Sequence, residues 1–140
     1  MWMLYAAGSA VAAALVTIFA KIGLRDVDPT LATIVRSVIM AGFLVLAGIA
    51  FKKFSAVSLA TIEGRAWLFI LLSAGAGALS WLLYFVALRT GPASAVAVID
   101  KLSVVLIVII AALFLGEVFT LRTFVGICLL IIGSLFIIFP

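Results

Sequence analysis

With three exceptions, every charged residue of this chain lies between or at the edges of apolar runs of about 20 residues, the length an α-helix needs to cross a hydrocarbon core. The runs cover residues 2–20, 31–51, 66–88, 95–115 and 121–139. They are continuously apolar and do not alternate with period two, so they do not read as strands of a membrane barrel. In lipid the helix is then the backbone that satisfies its own polar groups. Composition closes off the soluble alternative. The chain is 69% hydrophobic and 10% charged, with a mean hydropathy of +1.55, against about 45–50% and 25% in soluble domains. A globule this apolar would expose contiguous patches and aggregate. The expected fold is therefore all-α, a polytopic transmembrane bundle of about five spans forming one domain over residues 1–140.

The separators have their own chemistry. Residues 21–30 carry Gly23, Arg25, Asp26 and Asp28, and Pro29 with Thr30 can open the second helix, since proline in a first turn loses no hydrogen bond. Residues 51–65 hold Lys52, Lys53, Glu63 and Arg65 around a mildly apolar middle that is expected to lie along the interface. Arg89-Thr90-Gly91-Pro92 makes a tight third connection. Gly116 and Glu117 end the fourth helix, and Thr120 is placed to cap the fifth. The first run lacks a basic leader and is followed by further spans, so it reads as a retained helix and not a signal peptide. Small residues crowd the first helix (Ala6 to Ala10, Ala12 to Ala14) and the third (Ser73 to Ala78, Ser80), which predicts that these two are central, because small residues let backbones approach closely.

Three ionisable residues, Arg36, Asp100 and Lys101, fall inside the spans. A fourth helix starting after Lys101 would be only about 21 Å long at 1.5 Å per residue, too short for a core of about 30 Å, so both charges must enter the membrane. Each costs roughly 2.5–3.5 kcal/mol at a helix centre on insertion scales, less toward the ends. Such groups should face protein, water or a partner. Arg36 and Asp100 sit at similar depth on helices that start on the same side, within pairing reach, which leaves Lys101 as excess positive charge. One reading is a polar substrate site or ion relay favouring an anionic or zwitterionic ligand; the other is a structural ion pair with Lys101 snorkelling to the headgroups. Trp81 and Tyr84 share a face with Gly77 and Leu88 and form either an aromatic wall of a pathway or interior packing. Trp2, Tyr5 and Trp67 read as interfacial anchors. Glu117 reads as a solvated loop residue, and Gly126 and Gly133, seven apart, notch one face of the last helix for close helix contact.

Several function classes are excluded. There is no histidine to build a triad, a His-ligated metal site or a proton shuttle, and no Walker-type loop to hold ATP. No enzyme activity, cofactor or metal is expected. The net charge of +4 forms no basic cluster of the kind nucleic acid requires, and the single Cys128 allows no intrachain disulfide.

Three stretches carry a family resemblance: KIGLRDVDPTLATIVRS from Lys21 to Ser37, LRTGPASAVAVIDKLSVV from Leu88 to Val105, and LFLGEVFTLRTFVGICLLIIG from Leu113 to Gly133. Over essentially its whole length the chain resembles the half-length, five-helix EamA-like proteins of the drug/metabolite transporter superfamily. The resemblance implies a secondary transporter or exporter of small molecules in the inner membrane, working as a dimer or as a counterpart to the two fused halves of ten-helix relatives. The related small multidrug resistance proteins carry a membrane glutamate in their first helix, and here that span has no acidic residue. Asp100 is the carboxylate left for any coupling role, and the Gly126/Gly133 face is similar to the dimerising helix of those proteins.

The loop cations are nearly balanced, with Lys52, Lys53, Arg65 and Arg122 on one side and Lys21, Arg25 and Arg89 on the other. Because the Lys and Arg imbalance sets orientation, insertion in both directions and an antiparallel homodimer of ten helices are expected, an intermolecular inverted repeat. The rival class is a non-transporting structural or accessory membrane subunit whose internal charges fix packing register.

Overall fold

The computed structural model describes residues 1–56 and 62–139. Among these residues the chain is all-helical, with five helices long and apolar enough to span a membrane. The apolar middle expected at the interface falls largely on residues 57–61, outside those described. Helix α1 spans Trp2–Gly23, α2 Pro29–Ala50, the short α3 Lys53–Ala56, and α4 Gly64–Thr90. The fourth span, Ala93–Leu115, comprises α5 (Ala93–Lys101), α6 (Ser103–Ile110) and a π-wound turn (Ala111–Leu115). Helix α7, Leu121–Ile138, follows.

Most helix ends lie close to the expected ones, and two run further. Helix α1 extends through Lys21, and α4 takes in Arg65 and Arg89. Long cationic side chains reach the headgroups by their own length, so the backbone beneath them stays helical and keeps its hydrogen bonds. With 27 residues, α4 is about 40 Å long at 1.5 Å per residue and exceeds a core of about 30 Å.

The caps follow the sequence chemistry. Asp28 opens α2, its carboxylate accepting from the Thr30 and Leu31 N–H groups at 2.9 and 3.0 Å, with Pro29 in the first turn. Thr120 opens α7, its hydroxyl accepting from Thr123 N–H at 3.2 Å. Gly116 ends the fourth span in the left-handed region at φ +70°, where an L side chain is strained. The Gly116 N–H and, at 3.3 Å, the Glu117 N–H both reach the Ala111 carbonyl. That reach is one residue longer than an α-helical close because the last turn is π-wound. Within the spans hydroxyls bond back to carbonyls four residues earlier: Thr17 to Ala13 (3.0 Å), Thr33 to Pro29, Ser37 to Thr33 and Ser134 to Leu130 (2.7 Å each). Each polar group is thereby satisfied without leaving its own helix.

The chain divides into two compact units, Met1–Lys21 with Thr90–Pro140, and Ile22–Arg89. In the first, α5 packs on α7, and Lys21 Nζ donates to the Gly91 carbonyl at 2.8 Å. In the second, two contacts tie α2 to α4: Asp28 faces Arg89 at 3.9 Å, and Arg36 lies over Trp81. Eight residues separate the contacts on each helix and they run in opposite directions, so the pair is antiparallel, as consecutive spans are. Among the described residues of this unit, Leu24, Pro29, Thr33, Phe85 and Leu88 are buried.

Two expectations are corrected. Helix α1 contains no buried residue, and no heavy atom lies within 4 Å of where a Cβ on Gly8, Gly75 or Gly77 would stand. The small-residue surfaces of α1 and α4 are therefore not central within one chain, because size alone says that a close partner fits and not that the same chain supplies it. The fourth span, expected as one regular helix over residues 95–115, winds more tightly at Leu102, which keeps helical dihedrals (φ −64°, ψ −16°). There the Leu102 N–H reaches the Ile99 carbonyl and the Val105 N–H the Leu102 carbonyl, both at 3.0 Å and three residues apart. Neither glycine nor proline marks this spot. It directly follows the two ionisable residues.

Candidate functional site

Arg36 stands seven residues beyond the start of α2, about 10 Å along the axis. Its guanidinium carbon lies 3.8 Å from the centroid of Trp81 and 5.7 Å from that of Phe85. Helical spacing puts Trp81, Tyr84, Phe85 and Leu88 on one side of α4, offset by three, four and seven residues. Trp81 meets Tyr84 edge-on at 5.7 Å and 77°, and Phe85 at 5.8 Å and 84°; Tyr84 and Phe85 are 6.4 Å apart. Leu88 below them is fully enclosed at 0% exposure. Sequence reasoning placed Arg36, Trp81 and Tyr84 as candidates, and they stand together here. It missed Phe85, although the four-residue offset from Trp81 was available as a signal.

The energetics of this arrangement are unbalanced. A cation over an indole face gains about 0.5–1 kcal/mol when exposed and about 2 when desolvated, which offsets a fair part of the insertion cost of an arginine, about 2.5–3.5 kcal/mol at a helix centre. Stacking uses the face of the guanidinium, whereas its five N–H donors lie in the plane. Nη1 is sealed from the exterior and finds no acceptor among the described residues. The neighbouring hydroxyls of Thr33 and Ser37 donate to their own helix. Asp28 caps α2 and faces Arg89, an open pair with side chains 62% and 49% exposed, which at such exposure contributes at most about 1 kcal/mol.

Asp100, Lys101, Gly126 and Gly133 lie in the other unit. Asp100 and Lys101 are adjacent on α5, with Lys101 Nζ 3.5 Å from Asp100 Oδ2 and side chains 38% and 62% exposed. A contact that long and open holds neither group firmly. Beside them is a pocket of about 620 Å³ lined by Asp100, Ser103, Leu102, Leu106 and Ile131 among others, where the tighter turn at Leu102 faces α7. Ser103, which sequence reasoning missed, adds a hydroxyl to an otherwise apolar wall. Gly126 and Gly133 on α7 have no heavy atom within 4 Å of a built Cβ, so both notches are open. Trp2 and Tyr5 are exposed at the start of α1, and Trp67 is exposed near the start of α4. Among the described residues no group of three His, Cys, Asp or Glu could hold a metal ion.

Comparison with known proteins points to a family of membrane transporters. The EamA-like transporter family matches residues 1–139. A Sinorhizobium sp protein named "Uncharacterized transporter in cobO 3'region" is 40% identical over 134 residues, covering 96% of this chain and 94% of its own. No solved structure matches.

Proposed function

The chain belongs to the EamA-like transporter family and is a multi-pass inner-membrane transporter; from that premise we propose that it moves small metabolites or drugs by alternating access. The observation that carries the reading is Arg36, an ionised side chain about two turns inside an apolar span, laid on Trp81 with Nη1 unpartnered. Intramembrane ionisable groups mark substrate or ion pathways. Trp81 and Tyr84 supply the aromatic wall beside it. Asp100, which lines the pocket by Leu102, and Lys101 beside it act in coupling or binding, since ionisable groups inside spans mark substrate and ion pathways.

We further propose that the working form is an antiparallel homodimer of ten helices, with Gly126 and Gly133 of α7 in the contact. The open notches on α7 and the near balance of loop cations support it. Fusions of a cytoplasm-active and a periplasm-active reporter to the C-terminus should both be active in cells. Activity of one alone ends the dual-orientation proposal.

The transport proposal is tested in two steps. A thermal-shift screen of the detergent-solubilised protein against amino acids, nucleosides, sugars, organic acids and cationic drugs finds ligands, because a bound ligand raises stability by mass action. Hits are then assayed for movement into liposomes by the parent, Arg36→Gln and Asp100→Asn. Loss of transport with folding retained is the expected outcome. If both variants instead fail to assemble and the parent moves no hit, the accessory-subunit reading replaces this one.

A further inference from the structure

Resting on the transporter reading, and deepening it to a substrate class, we propose that the Arg36 guanidinium on its Trp81 platform is the receptor for the carboxylate of a monoanionic substrate with an apolar body. The guanidinium carbon lies 3.8 Å from the Trp81 ring centroid, a contact with a π face that uses none of the N–H donors as hydrogen bonds to an anion. Nη1 has no acceptor among the described residues, and a planar fork of N–H donors matches two oxygens of one carboxylate.

The surrounding unit provides no rival anion. The carboxylates of Ile22–Arg89 are Asp26, Asp28 and Glu63. Asp28 is engaged with the start of α2 and with Arg89. Asp26 lies before α2, and Glu63 sits next to the far end of α4, about 27 Å along the axis from Trp81. The hydroxyls of Thr33 and Ser37 donate to carbonyls of α2. Within this unit, an incoming anion would thus meet a cation that no carboxylate neutralises.

Charge and shape narrow the class. A phosphate monoester carries about −1.5 to −2 at neutral pH and would leave charge uncompensated by one arginine in an apolar setting, where unpaired charge is costly. A single carboxylate cancels the guanidinium. Tyr84, edge-on to Trp81 with the buried Phe85 behind the pair, offers an aromatic surface for the remainder of the substrate. Because Nη1 is sealed in this conformation, binding must swing the guanidinium relative to the indole, which makes Trp81 its own reporter.

The test uses full-length protein in which Trp2 and Trp67 are replaced by phenylalanine, so that Trp81 is the one tryptophan emitting. It is titrated with benzoate, with benzamide and benzylamine as neutral and cationic matches of the same shape, and with dimethyl phosphate as the monoanionic diester of a lipid headgroup. Benzoate should change Trp81 emission saturably, at least tenfold tighter than the other three. Arg36→Gln should abolish the response, and Arg36→Lys should weaken it about tenfold by losing the two-point geometry. No response to benzoate, equal binding of benzamide, an undiminished response in Arg36→Gln, or tighter binding of dimethyl phosphate would each overturn the proposal. If Arg36→Gln does not fold by circular dichroism, the comparison of benzoate with benzamide on the parent decides. The two readings fail separately. Liposome transport restricted to neutral or cationic solutes sinks the carboxylate site and leaves the carrier, whereas benzoate binding without transport of any solute sinks the carrier and leaves the site.

Discussion

Replacing Trp81 by leucine keeps an apolar side chain on α4 and removes the platform beneath Arg36. The loss has two parts. The cation contact at 3.8 Å is worth about 1–2 kcal/mol for a half-buried guanidinium. The edge-on contacts to Tyr84 and Phe85 contribute about 0.5–1.5 kcal/mol each. Trp81→Leu should therefore destabilise the protein by about 2–5 kcal/mol. Arg36→Met should behave differently, since it removes the same cation contact and also the cost of holding a charge in the span. Its net effect should be near zero or stabilising, as when a buried charge is replaced by an apolar side chain. In the double variant the cation term is lost only once, so a double-mutant cycle should return a coupling of about 1–2 kcal/mol. Reversible unfolding in mixed micelles, followed by circular dichroism as the denaturing detergent fraction rises, measures all four corners. A coupling within the additivity error of about 0.3–0.5 kcal/mol, or an Arg36→Met variant as damaged as Trp81→Leu, would refute the account of Arg36 as a cation held by that ring.

Other measurements probe the frame around the site. Asp28→Ala should cost about 1 kcal/mol through the lost cap of α2, whereas Asp28→Asn, which still caps but loses the charge facing Arg89, should cost a few tenths; equal losses in the same unfolding assay would contradict this. Gly116→Ala should cost about 1–2 kcal/mol from the left-handed backbone alone, since no neighbour obstructs a Cβ there. Gly126→Leu combined with Gly133→Leu should leave the stability of the single chain within about 0.5 kcal/mol, as expected for substitutions that meet no neighbour, while cross-linking in membranes falls severalfold. Unchanged cross-linking would remove these glycines from the dimer contact.

The spans were legible because length and hydropathy suffice to place a helix in lipid, and the caps at Asp28, Thr120 and Gly116 because each uses one residue type for one geometric need. Arg36, Trp81 and Tyr84 were legible as unusual residues, and the four-residue step to Phe85 was there to be read. The tighter turn at Leu102 was not, because Lys101-Leu102-Ser103 contains no residue that disfavours a helix. Its origin lies in tertiary surroundings, which a single chain of letters does not record. The small residues of α1 and α4 misled for a related reason. They report where a backbone can come close, and whether the visitor belongs to the same molecule is a separate matter.

The matched spacing of the two fastenings between α2 and α4 has a mechanical consequence. Eight residues part Asp28 from Arg36, and eight part Arg89 from Trp81, so the helices are pinned at two points about 12 Å apart along their axes. A slip of one turn, about 5.4 Å, would undo the Asp28–Arg89 contact and carry Arg36 off Trp81, in one direction toward Phe85. The paired fastenings thereby favour a single register of these two helices over the neighbouring ones.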